Sequence, residues 1–274
     1  MKIKVFAIVS VLLASFGLSA QTANEIAKVF CDLDRVPDYN YSTLILENIN
    51  KNGKSEKIEI WQYGSGVDNG LKNVAFDFKA PASVKGMRVL QLEKLKKADD
   101  RYVYMPELRQ SRRIPMTERT KSFGGTEFTY NDMTIRNEDE DDNSILDPNA
   151  KITINGNSYS CWKMKSVPYK KSEVEYSYRI SWFDKKTYIP VRIEYYDTKD
   201  KMIKIYECLK IEIVKGATGI EYPLRRSNVI TNLVTGRKTI ATVKDFVFDE
   251  KISDAYFTQN WIVTGKAPKI KGKK

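Results

Sequence analysis

The side chains of this protein leave little room for catalysis. Its 274 residues include no histidine, which removes Ser-His-Asp and Cys-His machinery, histidine metal sites and histidine proton shuttles together. The three cysteines, Cys31, Cys161 and Cys208, form no C-x-x-C pair, which argues against thiolate zinc sites and thioredoxin-like redox chemistry. No G-x-S-x-G elbow, S-x-x-K or Walker motif occurs, and Gly64-Ser65-Gly66 has no helix signal behind it to make a phosphate cradle. The densest acidic run, Glu138-Asp139-Glu140-Asp141-Asp142, lacks the spaced ligands and turn glycine of an EF-hand and reads as a solvated loop. No carboxylate pair stands out as an acid/base couple. The expectation is a binding protein without catalytic residues, cofactor or metal.

The stretch richest in recognition chemistry is 101–132. Tyr102 and Tyr104 share one face of a strand that Pro106 breaks. Arg109, Arg112 and Arg113 follow, then Pro115, Met116, and Phe123 beside the Gly124-Gly125 pair; Phe128 and Tyr130 resume the apolar pattern. Three arginines beside a glycine-hinged aromatic segment suit the mouth of an apolar groove that receives an anionic head group. The same arginines would equally serve to fix the loop by pairing with Glu107, Glu118 and Asp132. Two readings of 115–132 also stand: a movable lid that dips Met116 and Phe123 into a groove while Arg119 and Lys121 stay wet, or a fixed plug whose glycines only permit a tight turn.

Around this stretch the chain divides simply. Lys2 and Lys4, an apolar run from Val5 to Leu18, and Ser19-Ala20 describe a secretory signal with cleavage after Ala20. No other stretch reaches the ~18 uninterrupted apolar residues of a membrane helix. The expected product is an exported, soluble chain with one domain over 21–265 and a basic tail over 266–274, which carries Lys266, Lys269, Lys271, Lys273 and Lys274. Formal charge is +11; export argues against nucleic acid as its target, and a solvated tail is the simpler reading than one touching a membrane. A Cys161–Cys208 disulfide and buried free thiols are both compatible with the count.

The elements needed to position these side chains are mostly strands. Asn24–Val36 has one amphipathic period, with Ile26, Val29, Phe30 and Leu33 aligned, and Pro37 stops it. From there the period is two: 41–49, 56–63, 74–79, 87–94 and 101–105, then 176–183, 189–195, 203–213, 220–231 and 238–248. The fold class is mainly β (α+β): a curved antiparallel half-barrel of about eleven strands, with a few helices covering its apolar concave face. On that face the alternation places Leu44, Leu46, Trp61, Phe76, Phe78, Leu90, Leu92, Trp162, Met164, Tyr178, Ile180 and Trp182 as groove candidates, though one bulge would invert a strand's facing.

The run Tyr102-Val103-Tyr104-Met105-Pro106, Leu108-Arg109, Arg112-Arg113-Ile114, followed by Ser122-Phe123-Gly124-Gly125-Thr126-Glu127-Phe128-Thr129-Tyr130-Asn131-Asp132, resembles the signature of LolA-like outer-membrane lipoprotein-sorting proteins. Weaker matches lie at Trp182-Phe183-Asp184-Lys185, Tyr188-Ile189-Pro190-Val191-Arg192, Tyr195-Tyr196-Asp197, Thr231-Asn232-Leu233 and Gly236-Arg237-Lys238-Thr239, so that the resemblance spans about Asn24 to Gly265. It implies a half-barrel with helices as a lid over an acyl-chain cavity, and a periplasmic carrier of lipoproteins or other lipids. Its partners would be acyl chains, an inner-membrane exporter and an outer-membrane acceptor. The lid-latching arginine that such carriers have on an early strand is missing here, since 41–49 and 56–63 contain none. The alternative function is a non-catalytic envelope interaction subunit with a filled core.

Overall fold

A computed structural model describes residues 21–67, 70–95, 97–134 and 136–267. The expected signal at 1–20 and most of the basic tail lie outside the described residues.

Thr22 starts the first helix, α1 (Ala23–Arg35), through a capping box. Its hydroxyl accepts from Glu25 N–H, and the Glu25 carboxylate accepts from Thr22 N–H at 2.8 Å. Two meanders follow. The first runs β1 (Tyr39–Ile49), β2 (Ser55–Gly66), β3 (Lys72–Ala80), β4 (Arg88–Leu92), β5 (Asp100–Met105) and β6 (Gln110–Arg113). The second runs β7 (Asp141–Ile154), β8 (Asn157–Pro168), β9 (Tyr178–Asp184), β10 (Pro190–Tyr196), β11 (Met202–Lys215), β12 (Glu221–Asn232) and β13 (Lys238–Phe248). A short helix, α2 (Gln259–Thr264), closes the described chain, capped by Thr258 and ended by Gly265 at φ 67°.

All thirteen strands form one antiparallel sheet, in the order β6-β5-β4-β3-β2-β1-β13-β12-β11-β10-β9-β8-β7. The first and last strands meet in its middle, with Tyr41 opposite Val247 and Ile49 opposite Lys238. The edges are β6 and β7, which do not pair, so the curved sheet stays open. The chain between those edges, residues 114–140, crosses the inner face as a strap.

Thirteen strands replace the eleven or so expected: beyond the ten ranges with a period of two, β6, β7 and β8 also pair. β6 is four polar residues at an edge, and β7 is an edge strand interrupted at Pro148 by register shifts. The local signal for the β7–β8 hairpin is Asn155-Gly156, which takes φ 49° and 79° in a two-residue turn. Within 115–133 the only helical turn is a 3-10 segment, Met116–Glu118.

Each face of the sheet has its own cover. On the inner face, Leu46, Ile60, Phe78, Cys208 and Ile230 pack with Ile114 and Phe123 of the strap, all at 2% exposure or less. At the far side of that face, Ile26 of α1 lies on Met164 and Phe183. On the outer face, α2 and the preceding turn bury Trp261, Ile262 and Tyr256 on Tyr41, Tyr63 and Leu90. Arg88 pins the end of α2 by donating to the carbonyls of Ile262 and Val263, both at 2.8 Å. The β7–β8 hairpin buries Ala150, Ile154 and Cys161 with Trp182 and Val191. No described helix is long and apolar enough to cross a membrane.

Candidate functional site

The site is the inner face and the strap that fills it. Phe123 is fully buried, its ring centroid 5.1 Å from Phe76 and 5.3 Å from Phe78, with Tyr130 edge-on at 5.6 Å. The next residue has to be glycine: Gly124 sits at φ 61°, and a Cβ there would come within 2.5 Å of the Phe78 ring. Thr126 locks the turn by donating to Phe123 O at 2.7 Å, and Phe128 returns into the core.

Buried ion pairs hold the strap to both halves of the sheet. From β5, Arg101 donates to Asn131 Oδ1 at 3.3 Å and Thr134 Oγ1 at 3.1 Å; burial lowers its guanidinium to about 10. From β11, Lys204 Nζ donates to Asp132 at 2.9 Å and to Glu175 at 2.5 Å, and these two carboxylates hold its ammonium charged well above the usual lysine range against the opposing effect of burial. At the strap's far end, the buried Asp141 carboxylate accepts from Arg136 at 2.6 Å and from Arg179 of β9 at 2.9 Å. The helix is tied in the same way: Arg225 of β12 to Asp34 at 2.5 Å, and Arg35 to Glu93 at 2.6 Å. Between α1, the strap and β9–β12 remains a cavity of about 140 Å³, lined by Phe30, Asp34, Asp132, Tyr195 and Arg225 among others. That is below the roughly 300 Å³ at which ordinary ligand pockets begin.

Several expectations need correcting at this level. Of the groove candidates, Leu44, Leu46, Phe76 and Phe78 lie on the inner face. Trp162 and Met164 also face inward but pack beneath α1. Trp61, Leu90 and Leu92 belong to the outer face near α2. Tyr178, Ile180 and Trp182 also point outward: Tyr178 stacks on Tyr196 at 4.8 Å, and Lys163 lies over the Trp182 ring. The inward residues of β9 are Arg179, Ser181 and Phe183, the row that reads as polar, because α1 and the strap meet that row with charged partners while the β7–β8 hairpin supplies apolar cover outside. The three arginines do not converge. Arg109 is exposed in the β5–β6 turn at φ 50°, Arg112 pairs with Glu118 at 2.7 Å, and Arg113 with Asp100 at 2.6 Å. Arg119, expected to stay wet, is buried and donates to Asp99 O at 2.7 Å; Met116 is half-buried and Lys121 exposed. The acidic run is not simply solvated, since Asp141 is 2% exposed between its arginines and Glu140 closes a capping box on Asn137.

The cysteines are all free and buried, with Cys161 and Cys208 in separate clusters. Burial pushes the thiols of Cys31 and Cys161 up to about 12. Among the described residues, no group of Cys, Asp and Glu side chains could hold a metal ion. Asp132, expected to pair with an arginine of its own loop, pairs with Lys204 instead, and the sequence does not mark Lys204, Arg179 or Asp141 as parts of the site. No local signal marked them, because Arg179 and Lys204 fall on the strand rows that read as polar.

The open antiparallel sheet, joined through its first and last strands and strapped across its inner face, is a fold that other solved structures share. A DUF1329 family protein from Desulfovibrio piger shares it at TM-score 0.75 and 24% identity, covering 88% of this chain and 97% of its own. So does an outer membrane lipoprotein-sorting protein domain from Vibrio parahaemolyticus, at 0.74 and 21%, covering 87% and 97%. A LolA superfamily protein from Nitrosomonas europaea follows at 0.62 and 17%, covering 88% and 100%. No curated protein matches the chain. A family model described as "uncharacterized protein"-like matches residues 70–264, well over half the sequence, and the chain belongs to that family.

Proposed function

We propose that the protein is an exported carrier that takes acyl chains of lipoproteins or other lipids onto the inner face of its sheet and moves them between envelope membranes. The observation carrying this reading is the cover of that face. Among the described residues, an apolar surface spanning both meanders is closed by no second sheet but by α1 and the chain's own strap, whose Phe123 occupies the centre. Each methylene transferred from water contributes about 0.8 kcal/mol, so a long acyl chain can compete with one phenylalanine and its neighbours for that space. In this arrangement the strap occupies the space that an acyl chain would take. Carriage needs no nucleophile, in keeping with the side chains available. The compartment would be the periplasm, and the partners an inner-membrane exporter and an outer-membrane acceptor.

The alternative, a non-catalytic interaction subunit of an exporter or assembly machine, draws on the small residual cavity, which describes a filled core. Lipid extraction of protein purified from its native envelope, together with titration by a fluorescent fatty acid, separates the two. Stoichiometric lipid and saturable uptake support the carrier. No lipid and no uptake, even with the strap loosened, would leave the interaction subunit.

A further inference from the structure

Three turns converge at one end of the sheet. The β12–β13 turn, Leu233-Val234-Thr235-Gly236-Arg237, presents two apolar side chains at its tip, with Leu233 44% and Val234 67% exposed. The β1–β2 turn lies beside it, since β1 pairs with β13 and a Cβ at Gly236 would stand 3.6 Å from Lys51 Cβ. Lys51, Lys54, Arg237 and Lys238 are exposed around the tip, and neither turn carries a carboxylate. The third turn is that of the strap itself. Arg237 pairs with Glu127 at 2.9 Å and donates to Gly125 O at 3.3 Å. Asn232 donates to Glu127 at 2.9 Å, and Asn48 to Gly125 O at 3.3 Å.

We infer that this corner docks on an anionic lipid surface, and that docking loosens the strap. The composition selects the partner. A protein interface buries roughly 800 Å² on each side, whereas a bilayer needs only a protruding apolar tip within a basic collar. Leu233 and Val234 enter the acyl boundary, and the four cations meet lipid phosphates. Arg237 is common to both tasks, because the guanidinium that would fork onto a phosphate is the one now holding Glu127 and Gly125. Engaging the surface therefore competes with the contacts that keep the strap turn, and with it Phe123, in place. The docking stands apart from the carrier reading; the release of the strap rests on it.

The test is co-sedimentation of the full chain with vesicles of phosphatidylglycerol and phosphatidylethanolamine, against phosphatidylcholine alone, at low and high salt. The expected result is binding to the anionic vesicles that weakens with salt. A Leu233→Asp/Val234→Asp chain should lose it on the order of tenfold, while Leu95→Asp, an exposed apolar residue in the β4–β5 loop, keeps it. Hydrogen exchange over 123–130 should quicken on anionic vesicles, and Arg237→Gln should show quickened exchange without them. Wild-type binding by the double variant would assign the attraction to the tail lysines and overturn the docking site, as would no vesicle binding at all. Unchanged strap exchange on bound vesicles would overturn the coupling. Fatty-acid uptake from solution is measured in parallel: uptake kept with docking lost removes this inference alone, and docking kept without uptake removes the carrier reading.

Discussion

The ring of Phe123, on the strap, meets the ring of Phe76, on β3, edge to face at 5.1 Å and 70°. One residue of a connecting segment thereby completes the core between strands of both meanders. Covering the inner face and stabilising the fold are thus the same contact, and on the proposed carrier reading that packing is given up each time cargo loads.

Phe123→Ala separates the two roles. Removing a fully buried phenylalanine costs about 3–5 kcal/mol, so the urea midpoint should fall clearly. Uptake of a fluorescent fatty acid should rise, because the plug no longer competes for the space. Tighter binding in a less stable protein is the expected pairing; weaker binding would mean that Phe123 is part of the receptor surface.

Lys204→Met tests the polar side of the strap. It leaves the Asp132 and Glu175 carboxylates facing each other without their buried counter-ion, a loss of about 3–5 kcal/mol. Hydrogen exchange should quicken first around 129–134, where Asp132 also accepts from Thr129 N at 2.7 Å. Uniformly faster exchange across the sheet would deny the lysine a local role.

The two faces of the β9–β10 pair give opposite expectations. Ile193→Glu, which places a charge on the inner face opposite Ser181, should abolish fatty-acid uptake. Tyr178→Glu, on the outer row beside Tyr196, should leave it within about twofold of wild type, as surface changes usually do. A titration of both folded variants decides which face receives cargo.

Lys72 supplies a pH signature. It is buried at the start of β3, where its ammonium donates to Pro37 O at 3.0 Å, and burial lowers it to about 8 from 10.5. Between those values the unfolded chain holds a proton that the folded chain has released, so stability should rise with pH across that window. Lys72→Met should flatten this rise, read from urea midpoints at several pH values.

Thiol titration checks the cysteines. The native chain should react slowly or not at all with an aromatic disulfide reagent at neutral pH, and the unfolded chain should yield all three thiols. A yield of one would restore the Cys161–Cys208 disulfide.

The amino-acid sequence by itself determined the local half of this protein. It showed the helix over 23–35 to within a residue at each end, ten of the strands, the absence of histidine chemistry, and a signature in 101–132 sufficient for the fold. These are readable because period, caps and breakers act over a few residues. It did not say which row of a strand faces inward. Alternation tells that Tyr178, Ile180 and Trp182 share a face, but only the cover on each side, α1 and the strap within and the β7–β8 hairpin without, decides that the face is the outer one. Nor did it place Lys204 against Asp132, or Arg225 against Asp34, pairs separated by 72 and 191 residues. Such pairs have no local signal, because they exist only once β1 and β13 have brought the two meanders together and the strap has crossed between their edges.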